Sequence, residues 1–130
     1  RDFWVISVDD DGNELWSKNY GGSFTDVARC IVLTDDGDLI VAGQTTSNDI
    51  DVKENSGMND AWIMKLDSQG GIIDTLSFGG SGDDVVNSAY IEGNRIIFAG
   101  YSMSYQEGSA EKREKDLWLF EVVNWLTGSH

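Results

Sequence analysis

The densest set of oxygen donors in the chain is Asp9-Asp10-Asp11, followed by Gly12-Asn13-Glu14. Hard divalent cations bind clustered carboxylate and carbonyl oxygens, so this run raises the question of calcium. The helix–loop–helix calcium spacing fails here. With Gly12 as the loop glycine, the first ligand position falls on Ser7 and the last on Lys18, itself a cation. Alignments on Gly37 or Gly70 fail likewise. A looser surface calcium site at Asp9, Asp10 and Asp11 stays open beside the alternative of an acidic hairpin turn selected for its backbone geometry. No other cofactor is expected.

Catalytic arrangements are harder to build. His130 is the only histidine and is terminal, so neither Ser-His-Asp nor Cys-His chemistry can be assembled. Asp83-Asp84 could serve as acid and base only across a cleft. Gly79-Gly80-Ser81-Gly82 is glycine-rich, but strand-like residues follow it, and no helix N-terminus is there to hold phosphate. The single cysteine, Cys30, excludes an intrachain disulfide and a zinc–cysteine cluster, and is expected to be a small buried hydrophobe. Nine basic against twenty-three acidic residues give a net charge of −14. Nucleic acid and anionic membranes would repel that surface, whereas a cationic partner or metal ions would suit it. There is no run of eighteen apolar residues, so membrane insertion is not expected. Any secretion signal would lie outside the chain, which starts at Arg1 and is expected to be a piece of a longer product.

Positioning elements come from an internal repeat. The segment Asp2-Phe3-Trp4-Val5-Ile6-Ser7-Val8-Asp9 returns as Asp60-Ala61-Trp62-Ile63-Met64-Lys65-Leu66-Asp67, and again as Asp116-Leu117-Trp118-Leu119-Phe120-Glu121-Val122. The starts are 58 and 56 residues apart. Gly12 pairs with Gly70, Tyr20-Gly21-Gly22-Ser23 with Phe78-Gly79-Gly80-Ser81, and Asp26-Val27 with Asp84-Val85. After the loss of one turn residue, Leu39-Ile40-Val41-Ala42-Gly43 pairs with Ile96-Ile97-Phe98-Ala99-Gly100. The second copy departs from the first at Asp74, which stands where the first has Trp16.

Each unit reads as four short strands: Phe3 to Val8, Glu14 to Tyr20, near Val27 to Thr34, and Leu39 to Thr45. Trp4, Ile6 and Val8 share one face of the first strand; Phe3, Val5 and Ser7 share the other. Apolar residues on both faces mean a sheet covered on both sides. Glycine at position 12 supplies the positive φ of a hairpin turn. The small Ala42-Gly43 end places Leu39–Gly43, and by repetition Ile96–Gly100, as the innermost strands. No proline and fifteen glycines fit many short strands with tight turns. The expected fold is all-β and propeller-like: four-stranded antiparallel blades in one repeat region, 1–130. Repeat one covers about 2–59, repeat two about 60–115, a partial third 116–122 and a tail 123–130. Two blades plus one strand leave apolar faces bare, so neighbouring blades or a homo-oligomer must complete the ring, or the two blades close on each other as a sandwich.

The run Asp-x-Trp-(Ile/Val)-x-x-(Leu/Val)-Asp, Gly-x-x-x-Trp, Tyr-Gly-Gly-Ser, Asp-Val-Ala and Asp-Gly-Asp-Leu-Ile-Val-Ala-Gly resembles the uncharacterised kelch-like propeller repeats of secreted and cell-surface proteins from Bacteroidetes. The resemblance spans residues 2–122. It implies a propeller fold and export, and a scaffold or binding role, with no activity. The hairpin Leu66-Asp67-x-x-Gly70 is also similar to repeats of quinone-dependent dehydrogenase propellers, whose accompanying Ala and Thr-Gly sequence is missing, so no quinone follows. Ser7 to Trp16 comes near the Asp-box of sialidase propellers but is one residue too long on each side of the glycine.

Asp2, Asp26, Asp60, Asp84 and Asp116 recur at fixed positions, as do Trp4, Trp62 and Trp118 and the glycines Gly12, Gly43, Gly70 and Gly100. Residues repeated once per unit point to structure. The aspartates are expected to accept turn N–H groups, and the tryptophans to pack in the core rather than line a sugar-stacking groove. The copies differ most at Thr46–Asn59 and Met103–Lys115. Loops on a rigid scaffold carry recognition, so Asp49, Asp51, Lys53, Tyr105, Glu107 and Arg113 are the candidate contacts to a protein or glycan. The reading is a non-enzymatic binding or scaffold module. Its rivals are a propeller enzyme whose catalytic residues lie outside this chain, and a purely structural spacer.

Overall fold

A computed structural model describes residues 2–47, 59–79, 82–102, 116–123 and 125. The described residues form nine strands and no helix: β1 (Phe3–Val8), β2 (Glu14–Tyr20), β3 (Asp26–Leu33), β4 (Leu39–Thr45), β5 (Asp60–Leu66), β6 (Ile72–Phe78), β7 (Asp84–Glu92), β8 (Arg95–Ser102) and β9 (Asp116–Val123). They make three antiparallel sheets in meander order: β1-β2, then β3-β4-β5-β6, then β7-β8-β9. The all-β expectation holds, and the order is compatible with propeller-like blades.

Four strands per period are present, but they are partitioned half a repeat out of phase with the sequence copies. The last two strands of repeat one pair with the first two of repeat two, Gly43 opposite Trp62 and Ala42 opposite Ile63. The sheet boundary therefore falls at Gly21–Thr25 and its equivalent rather than at the variable loop. A sequence repeat has a period but no origin, so only hydrogen bonding decides where a sheet begins.

Turn chemistry repeats with the period. In the β1–β2 hairpin the Gly12 N–H donates to the Asp9 carbonyl and Asp9 N–H to the Asn13 carbonyl; in β5–β6 Gly70 donates to Asp67 and Asp67 to Gly71. Both glycines have φ of 85°, a conformation that costs an L side chain about 1 kcal/mol or more. Each hairpin carries a register shift, between Ser7 and Val8 in the first and Lys65 and Leu66 in the second.

Position of the small Ala-Gly pair corrects one expectation. β4 lies between β3 and β5, and β8 between β7 and β9, so neither is an innermost edge. The small residues answer to a β-bulge instead. The register of β3 against β4 shifts between Ala28 and Cys30, and that of β7 against β8 between Val86 and Ser88. The bulge drives backbone into the neighbouring strand. A Cβ on Gly43 would collide with the Val27 carbonyl oxygen, and one on Gly100 with the Val85 carbonyl oxygen.

Two apolar layers lie between the sheets. The first joins Phe3, Val5 and Tyr20 of the first sheet to Val41, Trp62, Met64 and Leu66 of the second. The second joins Ile40, Ala42, Ala61 and Ile63 to Val86, Ile96 and Phe98, with Phe120 and Val122 packed alongside. Strand β5 is buried at all seven positions because it meets a sheet on each side. Burying each of its large side chains contributes roughly 2 kcal/mol. Phe3 and Trp62 anchor the first layer, ring centroids 4.7 Å apart, and Phe98 and Phe120 the second, 5.0 Å apart.

The bulge sets a test. Gly43→Ala and Gly100→Ala should each lower the unfolding free energy by about 1–3 kcal/mol, because the added methyl meets backbone that cannot rotate away. Gly12→Ala, which meets nothing within 4 Å, should cost only about 1 kcal/mol through its φ. Urea denaturation of the three variants measures the difference.

Candidate functional site

The acidic run is a turn that uses its own first carboxylate. Asp9 Oδ1 accepts the backbone N–H groups of Asp11 and Asn13, both at 2.9 Å, and Oδ2 accepts the Asn13 amide at 3.3 Å. Asp67 does the same for Gln69 and Gly71 at 2.8 and 2.9 Å. The Asn13 N–H holds the Asp9 carboxyl below the usual carboxylate range, and the Gly71 N–H does so for Asp67. Asp10 and Asp11 are exposed. No group of three or more His, Cys, Asp or Glu side chains able to hold a metal occurs among the described residues.

The recurring buried aspartates fasten the crossing between sheets. Asp26 opens β3 and is fully buried. It accepts the hydroxyls of Thr45 and Ser47, from the end of β4, and the Gly22 N–H of the connector at 3.0 Å. Asp84, its equivalent, accepts the Ser102 hydroxyl at 2.5 Å. Hydroxyls thus join the backbone N–H groups expected from sequence in this work. Gly21 packs against the carboxylates of Asp2 and Asp26, and Gly79 against those of Asp60 and Asp84. A side chain at either glycine would displace the pair. Of the adjacent carboxylates Asp83 and Asp84, the first accepts the Asn59 side-chain amide at 2.9 Å and the second is buried at the crossing. They serve as structural acceptors.

The tryptophans divide. Trp62 is completely buried, and its indole N–H has no hydrogen-bond partner among the described residues. Trp4 occupies the same repeat position but is 63% exposed, its Nε1 donating to Ser17 Oγ at 2.8 Å. Ile6 and Val8 lie on the same open face. The expected core role holds for Trp62 and fails for Trp4, because no described sheet packs on that face of β1. Asp116 and Trp118 stand opposite Ser102 and Gly100 in β9; their side chains, and the loop candidates Asp49, Asp51, Lys53, Tyr105, Glu107 and Arg113, lie outside the described residues.

Beside this face runs a groove of about 300 Å³. Trp4, Val5 and Ile6 form one wall, and Ala28, Ile31 and Val41 the other, with Arg29 and Cys30 completing it. The first sheet has two strands where the second has four, and the edge strand β3 beside it is largely exposed. Cys30 is half-buried rather than fully buried, and burial pushes its thiol up from the ordinary value. Arg29 Nε donates to Gln44 at 3.1 Å. The groove offers van der Waals surface, the Trp4 ring and one cation, which suits an apolar or aromatic segment.

Sequence reasoning missed Trp125, assigned to the tail. β9 continues through Val123, and Trp125 then packs on the second apolar layer. Its Nε1 donates to Asp74 Oδ2 at 3.0 Å, while the buried Lys65 ammonium donates to the Trp125 carbonyl at 2.7 Å. The clue was Asp74 itself. In the first layer Trp16 donates to the Ser68 carbonyl at 3.0 Å and Tyr20 to Gly70 at 2.5 Å. In the second layer β6 carries the acceptor, and Trp125, just beyond β9, supplies the indole.

Compared with known proteins, the chain matches no protein-family model and no curated protein.

Two outcomes are expected. Trp62→Ala should cost about 3–5 kcal/mol of unfolding free energy as a core cavity, and Trp4→Ala within about 0.5 kcal/mol as an exposed change, both read by urea denaturation of dilute protein. For pH, the folded-state values of Asp9 and Asp67 lie below their unfolded values. Their contribution is therefore complete above about pH 4 and is lost as pH falls through the folded values. An Asp9→Asn, Asp67→Asn double variant should show a shallower acid loss of denaturation midpoint than the parent.

Proposed function

We propose that the chain is a run of β-propeller blades serving as a non-enzymatic binding or scaffold module of an exported microbial protein, with a protein or glycan as its ligand. One observation carries this reading: chemically capable side chains perform the same structural task in successive units. Asp9 and Asp67 close equivalent turns, and Asp26 and Asp84 tie equivalent crossings to a hydroxyl at the end of the next strand of the same hairpin. A carboxylate committed to holding a fold is poorly placed to exchange protons with a substrate. Export rests on the resemblance of the repeats to secreted propellers. The open β1 face with its groove, and the variable connections between units, are the places for recognition.

The full chain is to be screened against immobilised glycans and peptides, with hits followed by titration and product analysis. Saturable binding without turnover is expected. Product formation would replace this reading with the propeller-enzyme one, and silence across the screen would leave a structural spacer.

A further inference from the structure

The open faces at the two ends of the sheet stack are chemically the two halves of the interface already made inside the chain. In the first apolar layer, Phe3 and Val5 of β1 pack against Trp62, Met64 and Leu66 of β5. Trp4, Ile6 and Val8 occupy in β1 the repeat positions of Trp62, Met64 and Leu66, yet are 63%, 44% and 55% exposed. At the other end, Leu117 and Leu119 occupy in β9 the positions of Phe3 and Val5, and are 79% and 60% exposed. Residues that are wholly buried in one copy of a repeat and bare in another mark an interface lacking its partner.

We infer that a second copy of this chain is that partner, stacking head to tail so that Trp4, Ile6 and Val8 of one copy cover Leu117 and Leu119 of the other. The contact continues the sheet stack by one more layer of the existing kind and disturbs no pairing: β9 stays on β8, and the Trp125–Asp74 clamp stays closed. The surfaces are different on the two sides, so the association is heterologous, and it closes only when a ring is complete. Two copies bring six of the described sheets, of two, four and three strands in each copy, and rings of four to eight blades close. The net charge of −14 on each copy opposes the encounter; salt screens that repulsion, so association strengthens as ionic strength rises. The inference rests on the blade reading of the proposed function and names one partner for the open face.

The test is light scattering with sedimentation velocity on the full chain across a concentration and salt series. A species of twice the chain mass, favoured by concentration and by salt, is expected. Trp4→Glu and Leu119→Glu should each abolish it. Both side chains are exposed in the single chain, and unchanged urea midpoints will show that both variants fold. The decisive measurement mixes them. The Leu119→Glu copy keeps an intact β1 face and the Trp4→Glu copy an intact β9 face, so the mixture should recover a one-to-one complex. The idea is overturned by a chain that stays monomeric throughout, by a Leu119→Glu variant that dimerises like the parent, or by a mixture that fails to associate. A monomer that still binds in the glycan and peptide screen would remove the self-docking and leave the binding-module reading in place.

Discussion

The structure depends on one constraint: its sheets are apolar on both faces, and each face has to be covered by another sheet. β5 expresses this most fully. Trp62, Met64 and Leu66 turn toward the first sheet and Ala61 and Ile63 toward the third, and none of the seven strand residues reaches solvent appreciably. A two-faced strand cannot be satisfied by a hairpin alone, because burial of one side leaves the other in water. Stacking follows, and with it the repeat, since each new sheet brings its own uncovered face. The bare Trp4 and Leu119 at the ends of the described stack are the same constraint left unmet.

Stacked sheets held only by apolar contact could slide over one another, because hydrophobic attraction has no direction. Polar clamps fix the offset. Trp16 and Tyr20 reach from the first sheet to carbonyls of the β5–β6 turn. Trp125 reaches back to Asp74, and its own carbonyl takes the proton-rich end of Lys65. Moving a lysine ammonium out of water is unfavourable unless hydrogen bonds replace its hydration, so the clamp also makes room for a charge in the layer. The crossing between sheets is secured by the same logic. Asp26 is buried, and its oxygens are met by two hydroxyls and a backbone N–H.

Asp9, Asp67, Asp26 and Asp84 are occupied in turns and crossings, while Asp10 and Asp11 stay exposed. A groove walled by Trp4, Ile6, Ile31 and Val41 lies on a protein of high negative charge.

The sequence by itself determined the local structure. Alternating side chains, the Asp-x-x-Gly turns and the period near 57 residues specify strands, hairpins and two-sided burial, because these depend on neighbours within a few residues and on a pattern visible twice. Tertiary structure alone decided what depends on distant partners. The grouping of strands into sheets is set by hydrogen bonds between repeats, so the sheet frame fell half a unit from the sequence frame. Ala42-Gly43 is small because a bulge brings Val27 close, a contact with no signature in either strand read alone. Trp4 and Trp62 share a motif and differ in burial, since a side chain is buried by what lies opposite it, and that is a property of the stack.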